Sequence, residues 1–221
     1  MRLRLQYTKL GPARFLGHLD LMRLFQRAAR RADLPLAYSA GFNPHPKLAL
    51  GPALPLGMES EAEYLDLECT QEIPAREVQG RLQEQLPEGI SVRKAKVIDS
   101  QTESLAAAIK CAAYRAELPP DVPKNKVEEA ISRLSSQEKV LVKRKDKEVD
   151  IRQGIYDLKI EGDGGVFLYM LVACSQRLNV RPTEVMEALG LRATKPYVCR
   201  SGLFISCSPP LVTPLNEIFG R

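Results

Sequence analysis

Histidine is nearly absent from this sequence: two residues in 221, His18 and His45, both within the first sixty. Any acid–base chemistry carried by imidazole is confined to that stretch. Cysteine is sparse and poorly spaced for metal binding. Cys69, Cys111, Cys174, Cys199 and Cys207 include no C-x-x-C pair and no tight three-cysteine cluster. That spacing argues against a zinc ribbon and against an iron–sulfur centre. Several of the five sit in apolar, strand-like text and read as buried, reduced thiols. The chain is therefore expected to hold no metal and no cofactor. No apolar run approaches the roughly 18 residues that span a bilayer. The opening Met-Arg-Leu-Arg-Leu-Gln lacks the apolar core of a signal peptide. A cytoplasmic protein without a membrane partner is the expectation.

What is present is an uneven charge. The first sixty residues hold nine Lys and Arg against three Asp and Glu, a net +6, while the other 161 carry −1. A local positive field attracts polyanions, so a site is expected there. Hydrophobic content of 44% and charged content of 27% are ordinary for a folded chain. The length fits one large domain or two small ones.

Hydrophobic periodicity supplies the elements. Residues 2–8 alternate as a half-buried strand, and 18–32 read as a helix with Leu21, Leu24, Phe25 and Ala28 inward. A loop spans 41–46, an extended apolar stretch 47–57, and a strand 61–70. A helix opens at Pro74 and runs to about 86, and a strand follows at 90–98. This is the βαββαβ order of a ferredoxin-like unit. A similar order returns in strand 109–118, helix 124–135, and strands 139–144, 148–161 and 166–175, then helix 182–189 and strand 197–207. The expected fold is α+β: two tandem ferredoxin-like domains, 1–99 and 109–221, joined by a linker at 100–108, each with an antiparallel sheet and helices on one face. The Lys-rich text from Lys139 to Lys147 reads as an edge hairpin guarded against pairing, with Asp150 and Arg152 as an anchoring salt bridge.

The candidate site lies in Arg14-Phe-Leu-Gly-His-Leu-Asp20, the helix after it, and Gly41-Phe-Asn-Pro-His-Pro-Lys47. His18 opens the helix, where free N–H groups favour anions and neutral imidazole. It reads either as an acid–base or hydrogen-bonding group, with Asp20 orienting it, or as part of a plain helix start capped by Asp20. Prolines on both sides of His45 fix its backbone, and Gly41 permits positive φ. His18 and His45 are the candidate catalytic pair. Arg23, Arg27, Arg30 and Arg31 share one outward arc, either a solvated face or a phosphate-binding one matched by the guanidinium fork. Arg14, Phe42, Asn43 and Lys47 complete the candidate binding set, Phe42 as a stacking surface or a core plug.

Residues 14–66 resemble a bacterial family of unknown function described as radical SAM-associated. The resemblance rests on Phe15–Asp20, Arg27–Ala32, Tyr38–Pro46, Leu54–Gly57 and Glu63–Asp66. It implies a domain encoded beside, or fused behind, a radical SAM protein. Without the cysteine cluster of such enzymes, this chain would be the accessory part. The double domain is also similar to CRISPR-RNA-processing endoribonucleases, whose glycine-rich motif is reduced here to one glycine in 201–210. It is similar as well to certain pseudouridine synthases, whose Arg-Thr-Asp motif is not found. Fold likeness alone licenses no reaction. The leading expectation is an accessory module that binds RNA or ribonucleoprotein for a radical SAM partner, with no DNA specifically implied. The alternatives are a metal-independent RNA-processing or RNA-modifying enzyme using His18 and His45, and a protein–protein adaptor.

Overall fold

The computed structural model describes residues 1–162, 166–191 and 197–218. Its strands are β1 (Arg2–Lys9), β2 (Leu48–Leu50), β3 (Glu59–Glu68), β4 (Ile90–Ile98), β5 (Cys111–Glu117), β6 (Leu141–Arg144), β7 (Lys147–Asp150), β8 (Ile155–Glu161), β9 (Phe167–Ala173) and β10 (Val198–Phe204). The helices are α1 (His18–Arg31), α2 (Ala75–Gln83), α3 (Leu105–Ala108), α4 (Lys124–Ser136) and α5 (Pro182–Ala188). The chain is α+β with a mostly antiparallel sheet.

Two separate sheets were expected, and the structure joins them into one. Eight strands form a single sheet in the order β4-β1-β3-β10-β5-β9-β8, with β2 also paired to β3. Each half carries its first, second, third and fourth strands in the spatial order 4-1-3-2, the second half with the hairpin β6–β7 inserted. The seam is short and parallel: Cys199 pairs with Glu59, and Arg200 with Ser60. Farther along, β3 leaves β10 and takes β2 instead, Leu48–Leu50 against Leu67–Leu65. A gap between the halves opens on that side.

Register decides what each face carries, because paired residues point the same way. Tyr7 pairs with Glu63, Lys9 with Ser60, Ser60 with Arg200, and Arg200 with Tyr114. All therefore share the face that packs α1 and α2 through Leu21, Phe25, Val78 and Leu82. In the other half Val127, Leu134 and Val185 of α4 and α5 cover Ala112, Leu168 and Met170 on that same face. Tyr7 meets Phe25 edge to face, ring centres 4.7 Å apart. The opposite face is covered by the chain after β10 and by residues 99–108. There Arg4 is held bidentate by Asp66 and also donates to the Pro214 and Glu103 carbonyls.

Smaller expectations also change. The strand expected at 148–161 breaks at a 3₁₀ turn, Arg152–Gly154. Asp150 takes the Val140 and Arg152 amides there, in place of a salt bridge to the Arg152 side chain. Four residues of the expected linker form α3, with Leu105 and Ala108 buried.

Arg200 fixes the seam. Its side chain is 1% exposed and donates to Glu63 at 2.9 Å, to Tyr114 at 3.2 Å, and to the Pro52 and Ala53 carbonyls, each at 3.1 Å. Burial opposes its charge, and Glu63 together with Tyr114 and Cys174 more than offsets that, so the guanidinium stays protonated. Arg200→Met strands Glu63 without its cation, and urea unfolding should show a loss of about 3–5 kcal/mol. Adding Glu63→Gln should recover part of that loss. Wild-type stability in the single variant contradicts the role given to the pair.

Candidate functional site

A 3₁₀ turn at Gly11–Phe15 leads from β1 into α1 and is pinned from three directions. The buried Lys9 ammonium donates to the Arg14 carbonyl at 3.1 Å, the Gly57 amide donates to the same carbonyl at 3.0 Å, and the Gly11 amide donates to Glu59 at 2.9 Å. Burial lowers the Lys9 pKa. Gly57 sits at φ +85°, a conformation natural to glycine. Arg14 stacks on Phe15, 4.9 Å to the ring centre, and its guanidinium stands 3.6 Å from Glu59. Tyr197 donates a hydrogen bond to the same carboxylate.

His18 is exposed and opens α1. Asp20 accepts the Gly17 amide at 3.3 Å, closing the helix start, and stands 3.8 Å from Arg23. Its observed partners are those of a helix cap. Arg23, Arg27, Arg30 and Arg31 are all exposed, opposite the buried Leu21, Phe25, Ala28 and Ala29. Arg31 is tied to the Gln85 carbonyl at 2.7 Å. Arg27 and Arg30 have no acidic partner among the described residues. The outward ridge is positive and nearly free of acids.

The proline-clamped loop stands elsewhere. The Ser39 amide donates to the His45 carbonyl, and the His45 amide to Ser39 Oγ at 3.0 Å, closing the loop. Gly41 has φ +116°, as its place in the loop requires. Phe42 is fully exposed and no core plug, Asn43 and His45 are exposed, and Lys47 pairs with Glu68 at 3.0 Å. This loop is anchored to the residues after the C-terminal end of α1, while His18 is at the N-terminal end. Of the two histidines, only His18 lines a cavity of the groove described next.

His18 faces a different feature, a groove in the gap between the halves. It comprises two adjoining cavities of about 320 and 500 Å³ that share Ala53 and Asn179. One wall is the 50–58 segment, with Pro52, Leu54, Pro55 and Met58. The other carries Gln176, Asn179 and Arg181. Arg200 grips the Pro52 and Ala53 carbonyls from beneath and so fixes the first wall. Sequence reasoning placed Leu54–Gly57 and Glu63 in a motif without giving them a role, and it missed Arg200, Gln176 and Asn179. The one available signal was that Glu63 and Asp66 flank the apolar Tyr64 and Leu65 in the middle of a strand.

Among the described residues no three His, Cys, Asp or Glu side chains cluster as a metal site. Cys69, Cys111 and Cys174 are buried, and Cys207 lies beside Cys111.

The model of one bacterial family, described as "Uncharacterized protein conserved in bacteria (DUF2344)", matches residues 2–182. The chain belongs to that family. Its description names neither a reaction nor a partner, radical SAM or other. No curated protein matches the chain. Among solved structures it is similar to a Cbf5-Nop10-Gar1 complex, with a TM-score of 0.51 and 12% identity over 98% of this chain and 53% of that one. It is also similar to an archaeal box H/ACA sRNP Nop10-Cbf5 complex (TM-score 0.46, 13% identity, 90% and 46% covered). A third is an H/ACA RNP bound to a substrate RNA containing 2'-deoxyuridine (TM-score 0.46, 14%, 96% and 50%). The chain spans about half the length of each of these. At such identity the first likeness is one of fold.

The chemistry of the cysteines yields a test. Burial first, then Glu61 and Glu59, push the Cys199 thiol up to about 12. Raised in the folded state, it stays protonated across the neutral range and gains thiolate only in strong alkali. Alkylation of Cys199, followed by peptide mass spectrometry, should accelerate with pH through and beyond 10. A rate that levels off near pH 8, the ordinary thiol range, contradicts this.

Proposed function

We propose that this protein is an RNA-binding accessory module whose primary contact is the outward face of α1. One observation carries the reading: Arg23, Arg27, Arg30 and Arg31 stand exposed on a single helix that contains one acid, Asp20, with Asp33 just past its end. A face evolved for solubility alone mixes signs. Arginine presents a planar fork that matches phosphate oxygens, and successive positions on this helix rise by about 6 Å per four residues. Lysine-free arginine on a rigid helix favours a polyanion with regularly spaced phosphates.

Each half is read as a ferredoxin-like unit, residues 1–99 and 109–221, supported by the repeated 4-1-3-2 strand order. The resemblance of residues 14–66 supports a place beside a radical SAM enzyme, with catalysis left to that partner. His18 lines the groove and His45 does not, which favours the binding reading over an acid–base pair within this chain.

Binding to a short single-stranded RNA should weaken with salt at a logarithmic slope of about −0.7 per phosphate contact. Changing Arg23, Arg27, Arg30 and Arg31 together to Gln should reduce the slope by about 3 and weaken binding at low salt. Fluorescence anisotropy across a salt series checks both. A fourfold variant that binds as the wild type does overturns the reading.

A further inference from the structure

We infer that the groove between the halves receives unpaired nucleotides of the RNA held by α1, which makes the module selective for single-stranded over duplex RNA. The inference rests on the RNA-binding reading above and adds to it where the bases go.

Charge is the first argument. Neither cavity of the groove is lined by an Asp or a Glu, whereas His18, Arg181 and Arg200 line it. Two other cavities of the described structure, on the opposite face and at its edge, are different. One is lined by Asp99 and Glu103 among its cations, the other by Glu68 and Glu72. Of these four cavities, only the two of the groove present a polyanion with no like charge on their lining.

Shape and surface chemistry come next. Cavities of about 320 and 500 Å³ fall within the usual range for small-ligand sites. Bases stacked in a duplex present no free face to such a cleft, and unstacked ones do. Pro52, Leu54, Pro55 and Met58 give one wall an apolar surface for a base plane. Gln176 and Asn179 on the opposite wall carry amides, each with both donors and an acceptor for a base edge. The Asn179 carbonyl is already taken by Arg144 at 2.6 Å, which holds that wall in place while the side chain faces its own surroundings.

Pre-organisation and continuity complete the case. Arg200 bonds the Pro52 and Ala53 carbonyls, so one wall is set before any ligand arrives and little ordering is left to oppose binding. His18 is both a lining residue and the first residue of α1. A strand leaving the groove past His18 reaches Arg23 after about 7.5 Å of helix rise.

Ala53 is exposed and lines both cavities, so Ala53→Trp fills the groove from its open side without entering the core. The probes are a fluorescein-labelled oligouridylate and a blunt RNA duplex of the same length. Wild-type protein should bind the oligouridylate about tenfold more tightly than the duplex. Ala53→Trp should lower oligouridylate affinity about tenfold and leave duplex affinity unchanged, with an unaltered unfolding midpoint. Gln176→Ala with Asn179→Ala should produce a smaller loss in the same direction. Should Ala53→Trp not fold, this second variant decides the matter alone. Undiminished oligouridylate binding in the folded groove variants, with binding lost in the arginine variant, overturns the groove and leaves the α1 reading intact. No RNA binding by the wild type overturns both.

Discussion

The ion pair between Arg200 and Glu63 is the interaction on which the rest depends. It lies where the two halves meet, beside the only parallel pairing in the main sheet among the described residues, which is two residue pairs long. A seam that short contributes few backbone hydrogen bonds. A buried guanidinium is tolerated only when its donors are satisfied. Here Glu63, Tyr114 and two carbonyls satisfy them, and those partners come from β3, β5 and the 52–53 segment. One side chain therefore joins the sheet and sets the wall of the groove. Tyr7 belongs to the same interior, its phenol pKa raised by burial first and then by Glu63.

Glu63 and Asp66 serve opposite faces of one strand. Three residues apart, they point to opposite sides of the sheet. Glu63 binds the cation of the second half under the helices. Asp66 binds Arg2 and Arg4 on the far face, where Arg4 also holds the Pro214 and Glu103 carbonyls. The sequence motif that ends in these two acids thus closes both layers of the protein. Its earlier parts supply the α1 cap at Gly17 and Asp20, the helix from Arg27 to Ala32, and the groove wall at Leu54–Gly57.

Local features were legible and long-range ones were not. The helix read at 18–32 is His18–Arg31, and the strand read at 90–98 is Ile90–Ile98, because periodicity and proline placement are local signals. The capping role weighed for Asp20 is the one observed. The single sheet left no such trace. It depends on residues 59–60 meeting 199–200, some 140 positions away and over only two pairs. The role of Arg200 was equally hidden, since an arginine in a strand reads as exposed until its partner is known. His18 and His45 were singled out by local features, a helix start and a proline clamp, which say nothing of their distance in space.

The outward ridge of α1 and the acid-free groove give one account of binding: phosphates on the helix, bases between the halves. Hydrogen exchange, followed by mass spectrometry with and without oligouridylate, tests that account most directly. It predicts slowed exchange in residues 11–17, 50–58 and 174–183, with no change in 93–99 or 205–216 on the opposite face. Slowing confined to the opposite face, or none at saturating RNA, would contradict it.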